Sequence, residues 1–217
     1  MGIARSLERR LESLFEGAPG RVFSGRIHPA EMATRIAREA DLGSFQHETG
    51  TATANEFVLT VNPKDMRSDP TELQASLEAI LGEHAAEAGL RLEGPPSVAI
   101  EASEAVSKGQ FTTQLEVVPG QLAPWAQLRS DTTGSYDICH NRALVGRSDD
   151  VDVIIPLDDV SRRHALIWRE GGDVFIRDLG SSNGTRIDGS LLESDAVRLD
   201  QPSVVAFASN RYRLVPA

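Results

Sequence analysis

The chain has 217 residues, of which 40% are hydrophobic and 25% charged, as in a globular protein with one large or two small domains. Its formal net charge of −10 argues against a nucleic-acid-binding protein, which needs a basic surface. The single cysteine, Cys139, excludes an intramolecular disulfide, and no apolar run has the length of a membrane span. We therefore expect a cytoplasmic protein without membrane insertion.

The first 120 residues have the pattern of a small α+β domain. Apolar residues recur at helical spacing in three segments, namely residues 3–16, 29–43 and 69–89. Strand-like alternation or β-branched content occurs in four others, namely residues 45–53, 56–61, 98–100 and 111–118. The order of these segments predicts an N-terminal domain over residues 1–120.

The next segment has the composition of a linker. Two prolines and two glycines lie between Pro119 and Gly134, and we place the linker at residues 121–134. Within it, Asp131 precedes Thr132 and Thr133. An acid beside a threonine pair in a flexible segment is typical of sites phosphorylated by Ser/Thr kinases, so both threonines are candidates, although a plain solvated linker is the simpler explanation and the one we favour.

From residue 135 to residue 217 the chain consists of short strand-like segments, which predicts an all-β sandwich. Polar motifs fall on three of the loops between those strands, at residues 146–147, 161–164 and 180–185. Arg147, Arg162 and Arg163 supply guanidinium forks suited to phosphate oxygens, and the serines and Asn183 add neutral donors. These loops bring no nucleophile, base and orienting acid together. We therefore expect a site that binds a phosphate without cleaving it, in a protein that is not an enzyme.

These motifs resemble the forkhead-associated (FHA) domain. The resemblance rests on Gly-Arg-Ser at 146–148, Ser-Arg-Arg-His-Ala at 161–165, and Asp-Leu-Gly-Ser-Ser-Asn-Gly-Thr at 178–185. It implies a β-sandwich that binds phosphothreonine peptides on the loops at one end. The resemblance assigns phosphopeptide contacts to Arg147, Ser161, Arg162, Ser182 and Asn183. It assigns support of the site to Gly146, His164, Gly184 and Gly189.

The whole chain is similar to the FhaA family of actinobacterial signalling adaptors. The opening twelve residues and the Arg-Ile-His-Pro-Ala-Glu-Met-Ala stretch at 26–33 carry this resemblance. It implies a non-enzymatic adaptor whose phosphothreonine partners are transmembrane Ser/Thr kinases and the cell-envelope or peptidoglycan biogenesis proteins that they phosphorylate. Such partners would recruit the chain to the inner face of the membrane. Related adaptors block their own pocket with a phosphorylated segment, which is the role that Thr132 or Thr133 would have.

Three further expectations concern ligands. Gly17 to Gly20 matches the spacing of an RNA-binding KH loop, so the alternative function is an RNA-binding regulator whose FHA domain acts only as a phospho-switch. Asp158 and Asp159 precede Ser161 on a loop that, by resemblance, reads the third residue after phosphothreonine, where they would disfavour acidic residues. The histidines show no paired ligand spacing, so we expect no metal and no cofactor.

Overall fold

A computed structural model describes residues 22–23, 27–193, 195–200 and 202–217. The described residues before 47 and residues 51–121 form one compact unit, and residues 47–50 with residues 122–217 form a second. The helix predicted over residues 3–16 and the motif at residues 17–20 lie outside the described residues. The structure therefore does not test the RNA-binding alternative, which rests on the sequence motif alone.

The elements up to residue 121 combine helices with a small mixed sheet. In chain order they are α1 (Pro29–Leu42), β1 (Phe45–His47), β2 (Gly50–Ala52), β3 (Glu56–Val61), α2 (Thr71–Glu87), β4 (Ser97–Ala102) and β5 (Phe111–Glu116). β3 is the central strand of a three-stranded sheet, parallel to β4 and antiparallel to β5. The connection through α2 allows the parallel pair, which needs a long crossover. The predicted α+β class is confirmed.

Apolar stripes on α1, α2 and β3 form the core of this unit. Met32, Ile36 and Ala40 recur at helical spacing on α1, and none of them is exposed to solvent. On β3 every second residue is buried, as expected for a strand with one face on a core. The buried side chains that α2 and β3 contribute are Leu73, Leu77, Leu81, Phe57, Leu59 and Val61.

The second unit is a sandwich of two mainly antiparallel sheets. Its strands are β6 (Ala126–Ser130), β7 (Gly134–Ile138), β8 (Arg142–Gly146), β9 (Val153–Ile154), β10 (Ala165–Glu170), β11 (Asp173–Asp178), β12 (Thr185–Ile187), β13 (Ser190–Leu191), β14 (Val197–Leu199), β15 (Val204–Phe207) and β16 (Asn210–Pro216). One sheet has the order β14-β11-β10-β8-β9 and the other the order β13-β12-β15-β16-β6-β7. Both sheets contribute buried side chains to one core, such as Ile167 and Phe207. The predicted all-β sandwich is confirmed.

The linker predicted over residues 121–134 is wrong for residues 126–130, which form β6. This strand pairs with β16 on one side and β7 on the other. Ala126 and Leu128 are fully buried, whereas Gln127 and Arg129 face the other way. This alternation is typical of a strand, but the prolines and glycines on both sides give the whole segment the composition of a linker. Residues 131–133 are therefore the turn of a β-hairpin and not part of a flexible segment.

Among the described ranges, no helix has the length and apolar content needed to cross a membrane. The same ranges contain no group of three or more His, Cys, Asp or Glu side chains arranged to hold a metal ion.

Candidate functional site

The loops that carry the sequence motifs meet at one end of the sandwich. We call residues 147–152 the first loop, residues 156–164 the second loop and residues 179–184 the third loop. The Arg147 N–H donates to the Ser161 carbonyl at 3.1 Å, and the Ser148 N–H donates to the Arg162 carbonyl at 3.2 Å. The first loop therefore lies along the second, held by main-chain hydrogen bonds.

Gly146 permits this close approach. The residue is buried at the end of β8, and a Cβ atom placed on it would overlap the Arg162 carbonyl oxygen and lie 2.8 Å from the carbonyl carbon. Real Cβ atoms are not found so close to backbone, so any larger residue would push the first and second loops apart. This contact gives the predicted supporting role of Gly146 a physical basis.

His164 is fully buried beneath the second loop, and its tautomer follows from its contacts. The Ser161 N–H donates to His164 Nδ1 at 3.1 Å. Because a backbone N–H can only donate, Nδ1 must carry a lone pair. The hydrogen therefore sits on Nε2, which lies 3.3 Å from the Gly184 carbonyl and donates to it. One neutral imidazole thus connects the second loop to the third, and this geometry fits a supporting group better than an acid–base catalyst.

Burial lowers the pKa of His164 below its ordinary value of 6.5, against the opposing effects of the Gly184 carbonyl and nearby carboxylates. The unfolded chain therefore binds this proton more readily than the folded chain. We expect the free energy of unfolding to be unaffected by this group above about pH 6.5 and to fall below it, by at most about 1.4 kcal/mol per pH unit. Urea unfolding followed between pH 7.5 and 5 measures this dependence.

His164→Gln is the variant that tests this pH dependence, because it removes the titrating group. Its unfolding free energy is expected to vary less with pH over the same range. The carboxyl groups of Asp159 and Asp178 do not interfere, since their pKa values lie below the ordinary 3.8. A wild-type slope that persists unchanged in His164→Gln would show that another group causes it.

Asp178, at the end of β11, organises the third loop. Its carboxylate accepts hydrogen bonds from the Gly180 N–H, from the N–H and hydroxyl of Ser181, and from the Thr185 hydroxyl, at 2.6 to 2.8 Å. Burial raises the pKa of this carboxyl, but the donors from Thr185, Ser181 and Gly180 together outweigh burial and lower it. The carboxylate is therefore charged at neutral pH, and its hydrogen bonds fix the loop.

The Ser161 side chain also connects the second loop to the third. Its hydroxyl oxygen accepts a hydrogen bond from the Ser182 N–H at 3.0 Å. Since that oxygen already acts as an acceptor, its own hydrogen remains available to donate to a ligand. The structure thus brings Ser161 and Ser182 together, as the sequence motifs predict.

Two arginines lie on the first and second loops, close to Ser161 along the main chain. Arg147 and Arg162 are both exposed, and the main chains of their loops are held together by the hydrogen bonds that involve Ser148 and Ser161. In the part of the chain that the structure describes, neither guanidinium group has a hydrogen bond or an ion pair with another side chain. Two unneutralised cations and a serine hydroxyl on adjoining loops are well suited to an anion with several acceptor oxygens.

Asn183 and Asp159 form a further connection between the third loop and the second. The Asn183 side-chain amide donates to the Asp159 carbonyl at 2.8 Å. The carboxylate of Asp159 accepts from the N–H and hydroxyl of Ser209 and from the Asn210 amide. Asp159 therefore braces the turn at 208–210, which weakens our expectation that its carboxylate reads a peptide residue. Asp158 is exposed and keeps that role as a prediction.

The two remaining glycines have different positions. Gly184, in the left-handed region with φ 75°, offers its carbonyl to both His164 and the Ala208 N–H, so it supports the site directly. Gly189, with φ 92°, follows Asp188, with φ 51°, in the tight turn from β12 to β13. Because β12 runs away from the third loop, Gly189 lies at its far end and shapes that hairpin.

Thr132 and Thr133 lie in the turn between β6 and β7. Thr132 is exposed, with its hydroxyl 3.1 Å from that of Ser130. Thr133 is half-buried with a buried hydroxyl oxygen, and its carbonyl accepts from Tyr136. Phosphorylation stays a prediction for both residues, and only Thr132 offers an accessible hydroxyl.

The sequence reasoning missed the bracing roles of Asp159 and Asp178. Neither carboxylate is among the residues predicted to contact the phosphopeptide, yet they fix the two loops that carry Ser161 and Asn183. A local signal existed for Asp178, because an aspartate at the start of Asp-Leu-Gly-Ser-Ser commonly accepts hydrogen bonds from the main chain two or three residues further on. No such signal existed for Asp159, whose partners Ser209 and Asn210 are 50 and 51 residues away.

A sandwich with its loops joined in this way around exposed arginines and a serine is an FHA domain, a class of phosphopeptide-binding module. Residues 143–208 match the family model described as "FHA domain". Residues 5–114 match the model described as "FhaA, N-terminal domain". The chain belongs to this FhaA family, which adds an N-terminal domain of its own to the FHA module.

Curated relatives are found in mycobacteria. The chain is 34% identical over 73 residues to the FHA domain-containing protein FhaB of Mycobacterium tuberculosis, covering 34% of this chain and 46% of FhaB. It is 28% identical over 85 residues to FhaA of the same species, covering 36% of this chain and 16% of FhaA. The chain thus spans less than half the length of these relatives.

Solved FHA domains are also similar. A structure described as an analysis of phosphothreonine-dependent FHA domain interactions is 25% identical, with a TM-score of 0.38, and the match covers 42% of this chain and 94% of the other. The FhaA FHA domain, solved in complex with the intracellular domain of another protein, is 24% identical with a TM-score of 0.37, covering 43% and 100%.

Proposed function

We propose that the chain is a non-enzymatic signalling adaptor that binds phosphothreonine-containing proteins through the loops at the end of its FHA domain. Arg147, Ser161, Arg162, Ser182 and Asn183 are the proposed ligand contacts. The observation that carries the proposal is the pair of exposed arginines, Arg147 and Arg162, which have no side-chain partner among the described residues and lie on loops that are hydrogen-bonded to each other at Ser161 and Arg162. Each of the three loops contributes at least one donor.

A phosphothreonine side chain fits these donors chemically. Its phosphate carries nearly two negative charges and three acceptor oxygens at neutral pH. Two arginines supply charge-assisted hydrogen bonds, and Ser161 supplies a neutral one. His164 is occupied by Ser161 and Gly184, so it is not free to move a proton to or from the ligand. These features support binding without turnover.

The choice of threonine over serine should depend on a small apolar niche between the loops. Burial of the threonine γ-methyl group contributes about 0.8 kcal/mol, which corresponds to roughly a fourfold preference over phosphoserine. We expect a phosphothreonine peptide to bind at least that much more tightly than its phosphoserine counterpart, and the unphosphorylated peptide to show no binding. Calorimetric titration of the full chain with the three peptides measures both differences.

Two outcomes of this titration would contradict the proposal. Equal affinity for the phosphorylated and unphosphorylated peptides would show that the loops do not hold the phosphate. Equal affinity for the phosphothreonine and phosphoserine peptides would show that no niche for the methyl group exists, but it would be compatible with recognition of the phosphate.

The partners proposed for this site are bacterial transmembrane Ser/Thr kinases and their substrates in cell-envelope or peptidoglycan biogenesis. This part of the proposal rests on the family resemblance. The N-terminal domain would then supply a second protein contact. Binding to such partners would bring the chain to the inner face of the membrane.

A further inference from the structure

The outer face of the six-stranded sheet is rich in arginine. Side chains alternate along its strands, and the inward set, which includes Thr185, Val205 and Tyr212, is buried. The outward set contains four of the eleven arginines between residues 121 and 217, namely Arg129, Arg186, Arg211 and Arg213. We call these four residues the arginine face. Such a cluster is unexpected on a chain with a net charge of −10.

The strand register brings these arginines together. Arg186 and Arg211 both pair with Ala206, on either side of it. Arg213 and Arg129 are directly opposite each other on β16 and β6. Like charges in that position repel each other. Arg129 donates to the Gln127 side-chain oxygen, whereas the Arg213 side chain has no partner among the described residues.

A groove of about 540 Å³ runs between the arginine face and the site. Small residues, Ala206, Ala208 and Ser209, line it together with Arg186, Arg211, Asp159 and Asn183. The groove therefore begins at a proposed phosphopeptide contact, Asn183, and ends on the arginine face.

The charge in the groove is positive and largely unneutralised. Arg186 donates only to main-chain carbonyls, those of Asn183 and Ala208, each at 3.4 Å. Arg211 is exposed, and its side chain has no hydrogen-bond or ion-pair partner among residues 22–23, 27–193, 195–200 and 202–217. Asp159 is the one carboxylate among the lining residues, and Ser209 and Asn210 already occupy its oxygens.

We propose that the arginine face binds acidic side chains of the phosphorylated partner, in the segment four to six residues after the phosphothreonine. The inference rests on the proposed function, in which Asn183 holds the peptide just after the phosphothreonine. Arg211 lies two strands from β12, roughly 10 Å away, and an extended peptide covers that distance in about three residues. Arg213 lies two residues further along β16, within reach of the next two peptide residues.

The shape of the groove favours a polypeptide over a lipid surface. The two alanines and the serine have short side chains that leave space beside the arginines, and guanidinium forks bind carboxylates bidentately. A flat membrane surface would contact the protruding arginines and leave the groove unfilled. Continuity with Asn183 gives a peptide a further advantage, because both parts of one chain then bind together.

The test uses two phosphothreonine peptides with the same core and different tails. One carries three glutamates at the fourth to sixth positions after the phosphothreonine, and the other carries three glutamines. For the wild-type chain at low salt, we expect the glutamate tail to tighten binding about 3- to 10-fold, as for two or three exposed ion pairs. In Arg211→Gln the gain should fall at least about twofold, with the glutamine-tailed peptide binding as it does to the wild type.

Arg177→Gln is the matched control, because it removes one exposed arginine from β11 of the other sheet. It should retain the full gain from glutamate, and Arg213→Gln should behave like Arg211→Gln. Equal binding of the two tails to the wild-type chain would overturn the inference and leave the proposed function intact. Failure of both peptides to bind would instead contradict the proposed function. A further result would favour a membrane over a peptide as the ligand of the arginine face. In that case the two tails would bind equally, and the wild-type chain, but not Arg211→Gln, would sediment with phosphatidylserine vesicles.

Discussion

Arg147→Ala is expected to weaken binding of a phosphothreonine peptide by on the order of 100-fold. The residue follows β8 at the start of the first loop, and its guanidinium group is exposed without a neutralising partner among the described residues. A bidentate bond to phosphate contributes about 1.5 to 3 kcal/mol per hydrogen bond, so loss of the fork removes most of the charge-assisted affinity. Fluorescence anisotropy with a labelled peptide measures the change.

Arg198→Ala is the appropriate control for this loss, because it changes the net charge equally and its guanidinium group pairs with Asp173, at the opposite end of β11 from the third loop. Its affinity for the peptide should match that of the wild type. A parallel titration with single-stranded RNA addresses the alternative function. Retained RNA binding by Arg147→Ala, together with no phosphate-dependent binding by the wild type, would favour the RNA-binding regulator over the adaptor.

Gly146→Ala is expected to disturb both stability and binding, although alanine adds only a methyl group. The added Cβ would overlap the main-chain carbonyl of Arg162, and backbone cannot rotate away as a side chain can. We expect the free energy of unfolding to fall by about 2 to 3 kcal/mol as the first and second loops separate. Displacement of Ser161 and Arg162 should also weaken peptide binding at least tenfold, the equivalent of about one hydrogen bond.

Gly171→Ala separates this steric effect from the effect of backbone strain. Gly171 has φ 60° in the turn between β10 and β11, and no atom lies within 4 Å of a Cβ placed there. The substitution should cost only about 1 kcal/mol of stability and leave peptide affinity unchanged, because that turn is at the far end of β10 from the loops. Similar behaviour of the two variants in denaturant and peptide titrations would show that the contact with Arg162 is unimportant.

The polar loop motifs could be predicted because their information is local. Arg147, Ser161 and Asn183 each lie in a short, distinctive motif at the end of a strand, and the order of these motifs identifies the domain. Their exact neighbours could not be predicted. The contacts of Asp159 with Ser209 and Asn210 join residues about 50 positions apart, so they depend on how the second loop packs against the turn before β16.

The arginine face illustrates the same limit. Arg129 and Arg213 are 84 positions apart, and only the pairing of β6 with β16 places them opposite each other. The sequence shows two charged residues on separate amphipathic strands, each an ordinary solvent-facing position. Their concentration on one surface follows from the register, and a shift by one residue would turn them to the other face.

The pairing of β6 with β16 also determines where the chain can be divided for experiments. A fragment that began at residue 135, on the assumption that everything before it is a linker, would lack the strand that lies between β16 and β7. The long C-terminal strand would then present its free edge to other molecules, and the cavity left by Leu128 would be open to water. Such a fragment would tend to aggregate. An isolated FHA domain should therefore begin before Trp125, whose indole N–H donates to the His140 carbonyl.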